Sequence, residues 1–240
     1  MRDVGHQINN AYGGGHVYAT RRGDINVSGQ PQAERPTTQA VAGERIRVLM
    51  LAANPVSSGR LAIDEEARQI GERLHLADER DSYELITCWA VRPMDLLQYL
   101  NQHRPQIVHF SGHGDSAGQI VLAAGNGHEQ RVSADALGEL FRAANHRIRV
   151  VLLNACWSAG AVQAIGRHVD YVIGMNAPIS DEAAAVFAAA FYLALGFRCP
   201  VPQAFDQAVA ALAVHGLAGR HIPKLLTRLD AKPLLTEGPR

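Results

Sequence analysis

Two reactive side chains stand at the ends of two apolar runs, and their chemical types can perform nucleophilic catalysis together. The first run, QIVHFSGHG over residues 106–114, carries His113 between two glycines. The second, VVLLNAC over residues 150–156, ends on Cys156. A thiolate attacks carbonyl carbon atoms, and a neighbouring imidazole can take the thiol proton and later return it to a leaving amine. The pair therefore predicts a cysteine nucleophile, Cys156, with His113 as its general acid and base.

The elements that carry this pair are predicted to be neighbouring strands of one sheet. Short apolar runs are typical of strands that are buried on both faces of a parallel sheet. Ligands bind such sheets at the carboxyl ends of the strands, where both reactive residues lie. The N–H groups of Gly114 and Cys156 are the candidates for an oxyanion hole, because glycine leaves its backbone amide uncovered.

Strand and helix patterns alternate from Arg45 onward. The predicted strands cover residues 46–53, 83–91, 106–111, 148–155 and 170–175, with a small hairpin formed by 118–124 and 129–132. The predicted helices begin at Asp64 and cover residues 93–101, 133–143, 159–168, 180–195 and 202–214, with a short one near Leu225–Leu229. This alternation predicts an α/β fold with a mainly parallel sheet and helices on both faces.

Composition and charge narrow the classes of function. Lys+Arg and Asp+Glu balance at 23 each, which argues against nucleic acid as the main partner because that needs a basic surface. The apolar, uncharged stretch over residues 183–197 is too short for a membrane span, which needs about 20 residues. Three widely spaced cysteines, Cys88, Cys156 and Cys199, and the missing signal-peptide pattern predict a reducing cytoplasm without disulfides or structural zinc. The predicted chemistry needs neither a metal nor an organic cofactor.

Eight segments, in order between about residues 45 and 215, resemble the CHAT family of caspase-like cysteine peptidases in clan CD. The segments are VLMLAANP (48–55), LAIDEEARQI (61–70), WAVRPMDLLQYL (89–100), PQIVHFSGHGD (105–115), VSADALGELF (132–141), VVLLNACWSAGAVQAI (150–165), DYVIGMNAPISDEAAAVFAAAFYLAL (170–195) and QAFDQAV (203–209). The resemblance implies a caspase-like three-layer sandwich over residues 44–230 and a catalytic dyad of His113 and Cys156. The last residues, 231–240, are predicted from their own sequence to be a flexible tail. It also implies a bacterial signalling or defence effector that cleaves protein substrates after a sensed signal.

Two residues are candidates for substrate specificity through the same resemblance. Related clan members place an acid two positions before the cysteine, where it helps to bind a basic side chain. This chain has Asn154 at that position, which weighs against a trypsin-like preference. Asp181 resembles the acid that separase-like members place near their specificity pocket. It fits equally well as a first-turn acid after a helix cap at Ser180.

Several further residues allow two interpretations each. Asp115 could orient the predicted base or bind substrate, although an exposed loop acid more often does neither. Trp157 could line the substrate groove or cover the core, and the groove is slightly favoured. Glu65 and Glu66 could form a carboxylate pair, but at the start of a helix such acids usually form a solvated face. His109 alternates with core positions, which favours a packed core histidine.

The amino-terminal segment differs from the rest of the chain. Residues 9–29, NNAYGGGHVYATRRGDINVSG, resemble the short amyloid-signalling motifs that precede bacterial effector domains. Residues 16–20 and 25–28 are predicted to be short strands, and residues 31–43 a linker. A strand pair with open edges can stack on copies of itself or on a partner, so residues 1–30 are predicted to bind an upstream sensor and to self-assemble. The motif departs from the usual pattern at Arg21 and Arg22, whose like charges would repel when stacked in register, and the alternative is a disordered tail.

Two functions follow from these patterns. The first is a cysteine endopeptidase that is activated by assembly through the amino-terminal motif. The second is a catalytically silent adaptor with the same fold, which transmits assembly by protein–protein contacts. The intact pair of His113 and Cys156 favours the first.

Overall fold

The computed structural model of the chain describes residues 18–19, 25–26, 45–55, 59, 61–78, 80–124, 128–144 and 147–234. The chain divides into two units, Met1–Ala42 and Gly43–Arg240. In the first unit, β1 (Tyr18–Ala19) pairs antiparallel with β2 (Ile25–Asn26), which agrees with the predicted strand pair. The rest of the predicted assembly motif, the linker over 31–43 and the last part of the tail lie outside the described residues.

The second unit alternates strands and helices, as the sequence predicted. Its strands are β3 (Ile46–Ala53), β4 (Tyr83–Cys88), β5 (Ile107–Gly112), β6 (Ile120–Ala123), β7 (Glu129–Val132), β8 (Val150–Asn154), β9 (Tyr171–Met175) and β10 (Pro223–Thr227). Its helices are α1 (Ile63–Leu76), α2 (Pro93–His103), α3 (Ala134–Ala144), α4 (Ala159–Ile165), α5 (Asp181–Gly196) and α6 (Val201–Val214), with a single 3-10 turn at Arg80–Ser82.

Six of these strands form one mixed sheet in the order β10-β9-β8-β5-β3-β4. Strands β4, β3, β5, β8 and β9 run parallel, whereas β10 pairs antiparallel with β9. The short helix predicted near Leu225–Leu229 is therefore wrong. Leu225 and Leu226 instead pair with Ile173 and Val172, because this pairing satisfies the backbone groups that β9 would otherwise leave open at the sheet edge.

Helices cover both faces of the sheet, and the central strands β3, β5, β8 and β9 are buried on both sides. Along β3, Val48 and Met50 join the core beneath α1, α5 and α6, whereas Leu49 and Leu51 join the core beneath α2, α3 and α4. This alternation follows from the period of two along a strand. The predicted α/β class, with a mainly parallel sheet between two layers of helices, is confirmed.

Serine side chains cap two of the helices at their amino ends. Ser133 Oγ accepts a hydrogen bond from Ala136 N at 3.2 Å, and Ser180 Oγ accepts one from Ala183 N at 3.3 Å. These contacts satisfy amide groups that the first helical turn leaves free, so they fix where α3 and α5 begin. Within the part of the chain that the structure describes, no helix combines the length and the apolar character needed to cross a membrane.

Candidate active site

Strands β5 and β8 carry polar side chains on one buried face. His109 and Ser111 lie two residues apart on β5, and Asn154 lies opposite Ser111 on β8. All three contact Glu66 of α1, so this face of the sheet points towards α1. Because successive side chains alternate between faces, the next positions of equal parity are residue 113 after β5 and residue 156 after β8.

His113 and Cys156 follow these strands and line one cavity of about 50 Å³. The two segments that follow β5 and β8 contact each other at Gly114. A Cβ atom built on Gly114 would overlap the carbonyl oxygen of Cys156 and lie 3.4 Å from the Cβ atom of Ala155. Any side chain at position 114 would therefore force the two segments apart, and glycine keeps the predicted base and nucleophile on the same wall.

The ring of His113 is held by a loop contact. Its Nε2 atom lies 2.7 Å from the carbonyl oxygen of Gly59, and the side chain is half-buried. A carbonyl oxygen only accepts hydrogen bonds, so this contact requires the proton on Nε2. In the neutral ring, Nδ1 is then the nitrogen with a free lone pair. His113 thus presents Nδ1 as the atom that can take a proton.

The backbone around Gly114 leaves one amide available. Gly114 forms an isolated antiparallel bridge with Ile120. Both hydrogen bonds of that bridge come from neighbouring residues, since Val121 N donates to His113 O and Asp115 N donates to Gln119 O, each at 3.0 Å. The N–H group of Gly114 is left out of the bridge, as an oxyanion donor beside a nucleophile must be.

The turn that carries Cys156 is fixed by a buried serine, Ser158. Ser158 Oγ donates to Leu153 O at 3.0 Å and accepts from Met175 N at 2.9 Å, so it ties the turn to both β8 and β9. Trp157, directly after the cysteine, has a φ angle of 58° and is 40% exposed. The nucleophile therefore sits in a sharp turn whose two sides are anchored to neighbouring strands.

Glu66 is the residue that the sequence reading placed wrongly. Glu65 does pair with Arg68 at the surface, but Glu66 is only 4% exposed and lines the cavity. The signal was present in the sequence, because Glu66 lies three residues after Ile63 and four before Ile70, on the buried stripe of α1. The expected solvated face is therefore wrong for Glu66 and correct for Glu65.

Three side chains from the sheet satisfy the buried carboxylate of Glu66. Ser111 Oγ donates to it at 2.5 Å, and Asn154 Nδ2 also donates to it. His109 Nε2 lies 3.1 Å from Oε1, and the His109 ring, which is fully buried as expected, stacks on Tyr192 at 5.7 Å between ring centres. Such a carboxylate is anchored on both strands that lead to the reactive pair.

Opposing influences act on the pKa of Glu66. Burial, the largest single influence, raises it, while the charge of His109 and the hydrogen bonds from His109, Ser111 and Asn154 lower it. The net effect is a pKa below the ordinary value for glutamate, so the carboxylate is ionised at neutral pH. Burial also raises the pKa of Tyr192 well above its usual range, with the negative charge of Glu66 as the next cause.

Asn154 and Asp181, two of the predicted specificity residues, line the cavity. Asn154 is 5% exposed and donates to Ala184 O at 3.2 Å as well as to Glu66. Asp181 lies in the first turn of α5, and its Oδ2 atom accepts a hydrogen bond from Ala62 N at 3.2 Å. The two interpretations of Asp181, first-turn acid and cavity residue, are both compatible with this placement.

Asp115 and Trp157 are not among the described residues that line this cavity. Asp115 Oδ1 accepts from Ala117 N at 3.0 Å and Gln119 N at 3.1 Å, and Oδ2 lies 3.3 Å from Arg131 Nε. It therefore shapes the turn that follows His113. Trp157 stands at the surface beside the nucleophile.

Comparison with known sequences gives consistent matches. The model of the CHAT domain family matches residues 16–216. A protein described as a Roc-COR-CHAT protease, from an unknown prokaryotic organism, is 26% identical over 193 residues, which cover 78% of this chain and 18% of that protein. A probable protease from Gillisia limnaea is 25% identical over 169 residues, which cover 69% of this chain and 30% of the relative. The chain thus spans less than a third of the length of these curated relatives.

Comparison with solved structures gives the same fold. A secreted C11 cysteine protease from Bacteroides thetaiotaomicron, in complex with an irreversible peptide inhibitor, superposes with a TM-score of 0.51 at 13% identity, covering 76% of this chain and 66% of the other. The Drosophila initiator caspase Dronc superposes with a TM-score of 0.51 at 10% identity, covering 78% and 81%. At these identities the similarity establishes the caspase-like fold.

Proposed function

Because the chain belongs to the CHAT domain family, we propose that it is a cysteine endopeptidase in which Cys156 is the nucleophile and His113 is the general acid and base. The observation that carries the proposal is the backbone contact between Gly114 and Cys156, next to a cavity that both reactive residues line. The protease descriptions of the two curated relatives support the same class of reaction.

The proposed reaction uses groups of this chain alone. His113 Nδ1 takes the thiol proton of Cys156, and the thiolate sulfur forms a bond to the carbonyl carbon of the scissile peptide. The carbonyl oxygen, now negative, accepts hydrogen bonds from the N–H groups of Gly114 and Cys156. As the C–N bond breaks, His113 gives its proton to the leaving amine and a thioester remains. Water, deprotonated by His113, then attacks the thioester and releases the second product and the thiol.

The contact of Gly59 with His113 has a defined role in this scheme. Its carbonyl oxygen holds the Nε2 proton in place and so keeps Nδ1 as the proton-transfer atom. It also stabilises the imidazolium that forms when Nδ1 takes the thiol proton, because a carbonyl dipole points its negative end at the ring.

We further propose that the enzyme is a cytoplasmic effector in bacterial signalling or defence, activated when residues 1–30 assemble with an upstream sensor. The amyloid-signalling resemblance of residues 9–29 supports the assembly step. The three cysteines, Cys88, Cys156 and Cys199, are free, which suits a reducing compartment.

The proposed activity can be tested by searching a proteome for new protein termini after expression of the full chain. The comparison uses wild type, Cys156→Ala and His113→Ala, with residues 1–30 fused to an inducible oligomerisation domain. New termini that depend on both residues are the expected result. Identical sets of termini in wild type and Cys156→Ala would contradict the proposal and favour the silent adaptor.

The assembly step has a separate test. Deleting residues 1–43 should abolish fibre formation and leave the circular dichroism spectrum of the α/β unit intact. Fibres formed by the truncated chain would show that the amino-terminal motif does not drive assembly.

A further inference from the structure

The cavity beside Cys156 has apolar walls and a polar floor. Its walls are formed by small and branched side chains, namely Leu61, Ala62, Ile63, Ile179 and Ala184. Glu66, Ser111 and Asn154 form the floor, and Asp181 lies at the more exposed side. A site of this kind takes a side chain with an aliphatic stem and a polar end.

The floor has an acceptor without a donor. Asn154 Nδ2 donates to Glu66 and to Ala184 O, and both partners only accept, so the orientation of the amide is fixed. Its Oδ1 atom is buried and has no hydrogen-bond partner among the described residues. A buried polar atom left unpaired is unfavourable, so the cavity favours a ligand that brings a donor.

The charges around the cavity are mostly negative. Glu66 and Asp181 contribute two carboxylates to its lining. His109 lies behind Glu66 and is not among the described residues that line the cavity, so a charge on its ring would offset one of the two carboxylates at most. The thiolate of Cys156 and the imidazolium of His113 would cancel each other. The lining therefore carries net negative charge in either state of His109.

We propose, on the basis of the proposed function, that this cavity binds the substrate side chain immediately before the cut and that it selects lysine or arginine. The aliphatic stem of either residue would pack against Ile63 and Ile179. Its cationic end would donate to Glu66 and to the unpaired Oδ1 atom of Asn154. Glu66 of α1 then supplies a negative charge next to position 154, where the sequence itself has a neutral amide. Ionisation of Glu66 at neutral pH agrees with this role.

The direct test labels the full chain, assembled through the inducible oligomerisation domain fused to residues 1–30, with a series of peptidyl acyloxymethyl ketones that differ only in the residue bearing the ketone. Lysine, arginine, norleucine and aspartate are compared, and the rate of adduct formation on Cys156 is read by intact mass. Lysine or arginine should label at least about tenfold faster than norleucine, since a hydrogen-bonded charge is worth that factor or more. Faster labelling with norleucine or aspartate would overturn the specificity proposal and leave the peptidase proposal standing. If no peptide labels Cys156, the peptidase proposal itself fails, and the specificity proposal fails with it.

Substitutions identify the carboxylate responsible. Glu66→Gln keeps the shape of the side chain and should slow the lysine and arginine probes by about 10- to 100-fold, while the norleucine probe changes by less than about threefold. The matched control is Glu65→Gln, one residue away on the exposed side of α1, which should leave every rate unchanged.

Asp181→Asn gives a second arm that does not depend on a buried substitution. It should slow only the basic probes, by several-fold, because Asp181 is exposed and its charge is screened by water. Circular dichroism of each variant establishes that it is folded. An unchanged ratio of lysine to norleucine labelling in both Glu66→Gln and Asp181→Asn would overturn the proposal.

Discussion

The two faces of the central sheet use the same strands for different purposes. Beneath α2, α3 and α4, alternate residues of the strands pack into an apolar core. Beneath α1, the other residues of β5 and β8 place His109, Ser111 and Asn154 around Glu66. The other buried polar side chains described, Ser158 and Asp170, lie next to the ends of β8 and β9. Both faces therefore stabilise the domain through apolar cores, and the face beneath α1 also positions polar groups under the reactive pair.

This difference shows where the fold departs from the simplest packing, in which every buried side chain is apolar. A buried carboxylate is costly unless hydrogen bonds and charge compensate it, so an apolar side chain at position 66 would be easier to accommodate. Locally unfavourable groups of this kind are expected at functional sites, where other parts of the fold compensate for them. The apolar cores on both faces supply that compensation here.

The largest effect on function is expected from the nucleophile. Cys156→Ala should reduce peptide cleavage by at least about 1,000-fold, because the bond-forming atom is lost. The midpoint of thermal unfolding should hardly change, since the side chain is half-buried. Cys199→Ala is the matched control, because Cys199 is also a free, half-buried cysteine but follows α5 in the sequence. This variant should retain activity. Activity retained by Cys156→Ala would show that Cys156 is not the nucleophile.

The largest effect on stability among these changes is expected on the face beneath α2, α3 and α4. Phe141 of α3 is 3% exposed, and Phe141→Ala should lower the free energy of unfolding by about 3–5 kcal/mol in urea titrations. Activity per folded molecule should stay near the wild-type value. A loss below 1 kcal/mol, or a specific loss of activity in fully folded protein, would mean that the two faces are less separate than the packing indicates.

Gly114→Ala tests the backbone contact between the two strand ends. The added methyl group overlaps the carbonyl oxygen of Cys156, and displacement of a catalytic group by about 1 Å can cost 100-fold in rate. We expect a fall in kcat of that order. Gly71→Ala in α1 is the control, because its Cβ atom would lie 3.7 Å from the nearest side chain and alanine favours the helix. Equal activity of both variants would disprove the tight contact.

The pH dependence of stability tests whether Glu66 is ionised in the folded protein. Its pKa is lowered in the folded protein, so the ionised form contributes stability above the unfolded-state pKa and loses it as the pH falls through the folded-state value. Glu66→Gln should lower the free energy of unfolding at pH 7 by about 1–3 kcal/mol. It should also flatten the acid side of the stability profile measured by urea titration between pH 3 and 7. Parallel profiles for both proteins would show that Glu66 is not ionised in the folded state.

The smallest expected effect concerns the turn at Trp157. A non-glycine residue with φ near 58° is strained by about 1 kcal/mol, and glycine is not. Trp157→Gly should therefore be more stable than Trp157→Ala by about that amount in thermal unfolding, although both lose the same exposed ring. A reversed order would mean that this turn relaxes to negative φ without the indole.

The sequence predicted the parts of the fold that depend on local patterns. β3 was predicted with its observed bounds, and β5, β8 and β9 were predicted to within about two residues, because their apolar runs are bounded by polar or turn residues. β10 was missed because the pair of leucines at 225–226 has no strand signal of its own. Its extended form depends on pairing with β9, which is a contact between distant parts of the chain.

The candidate site was predicted unevenly for the same reason. His113, Gly114 and Cys156 follow recognisable strands, so their placement at one sheet edge could be read from the sequence. The contact of Gly59 with His113 and the position of Glu66 beneath Asn154 depend on how the β3–α1 connection folds over the sheet. No pattern within that segment specifies its tertiary partners, although position 66 falls on the apolar stripe of α1 and could have been predicted to be buried.

Because β10 runs antiparallel to β9, the chain leaves the sheet at the same end at which it enters. The amino ends of the parallel strands lie at one end of the sheet, and their carboxyl ends lie at the end that bears Cys156. Strand β10 runs in the opposite direction. Arg228 N, just after β10, donates to Asp170 O, just before β9, at 2.8 Å. Arg45, just before β3, lies at the start of a parallel strand and so at the same edge. Arg45 and Arg228 thus both lie at the end of the sheet opposite the one that bears Cys156, so the chain enters and leaves the sheet at the end away from the cavity.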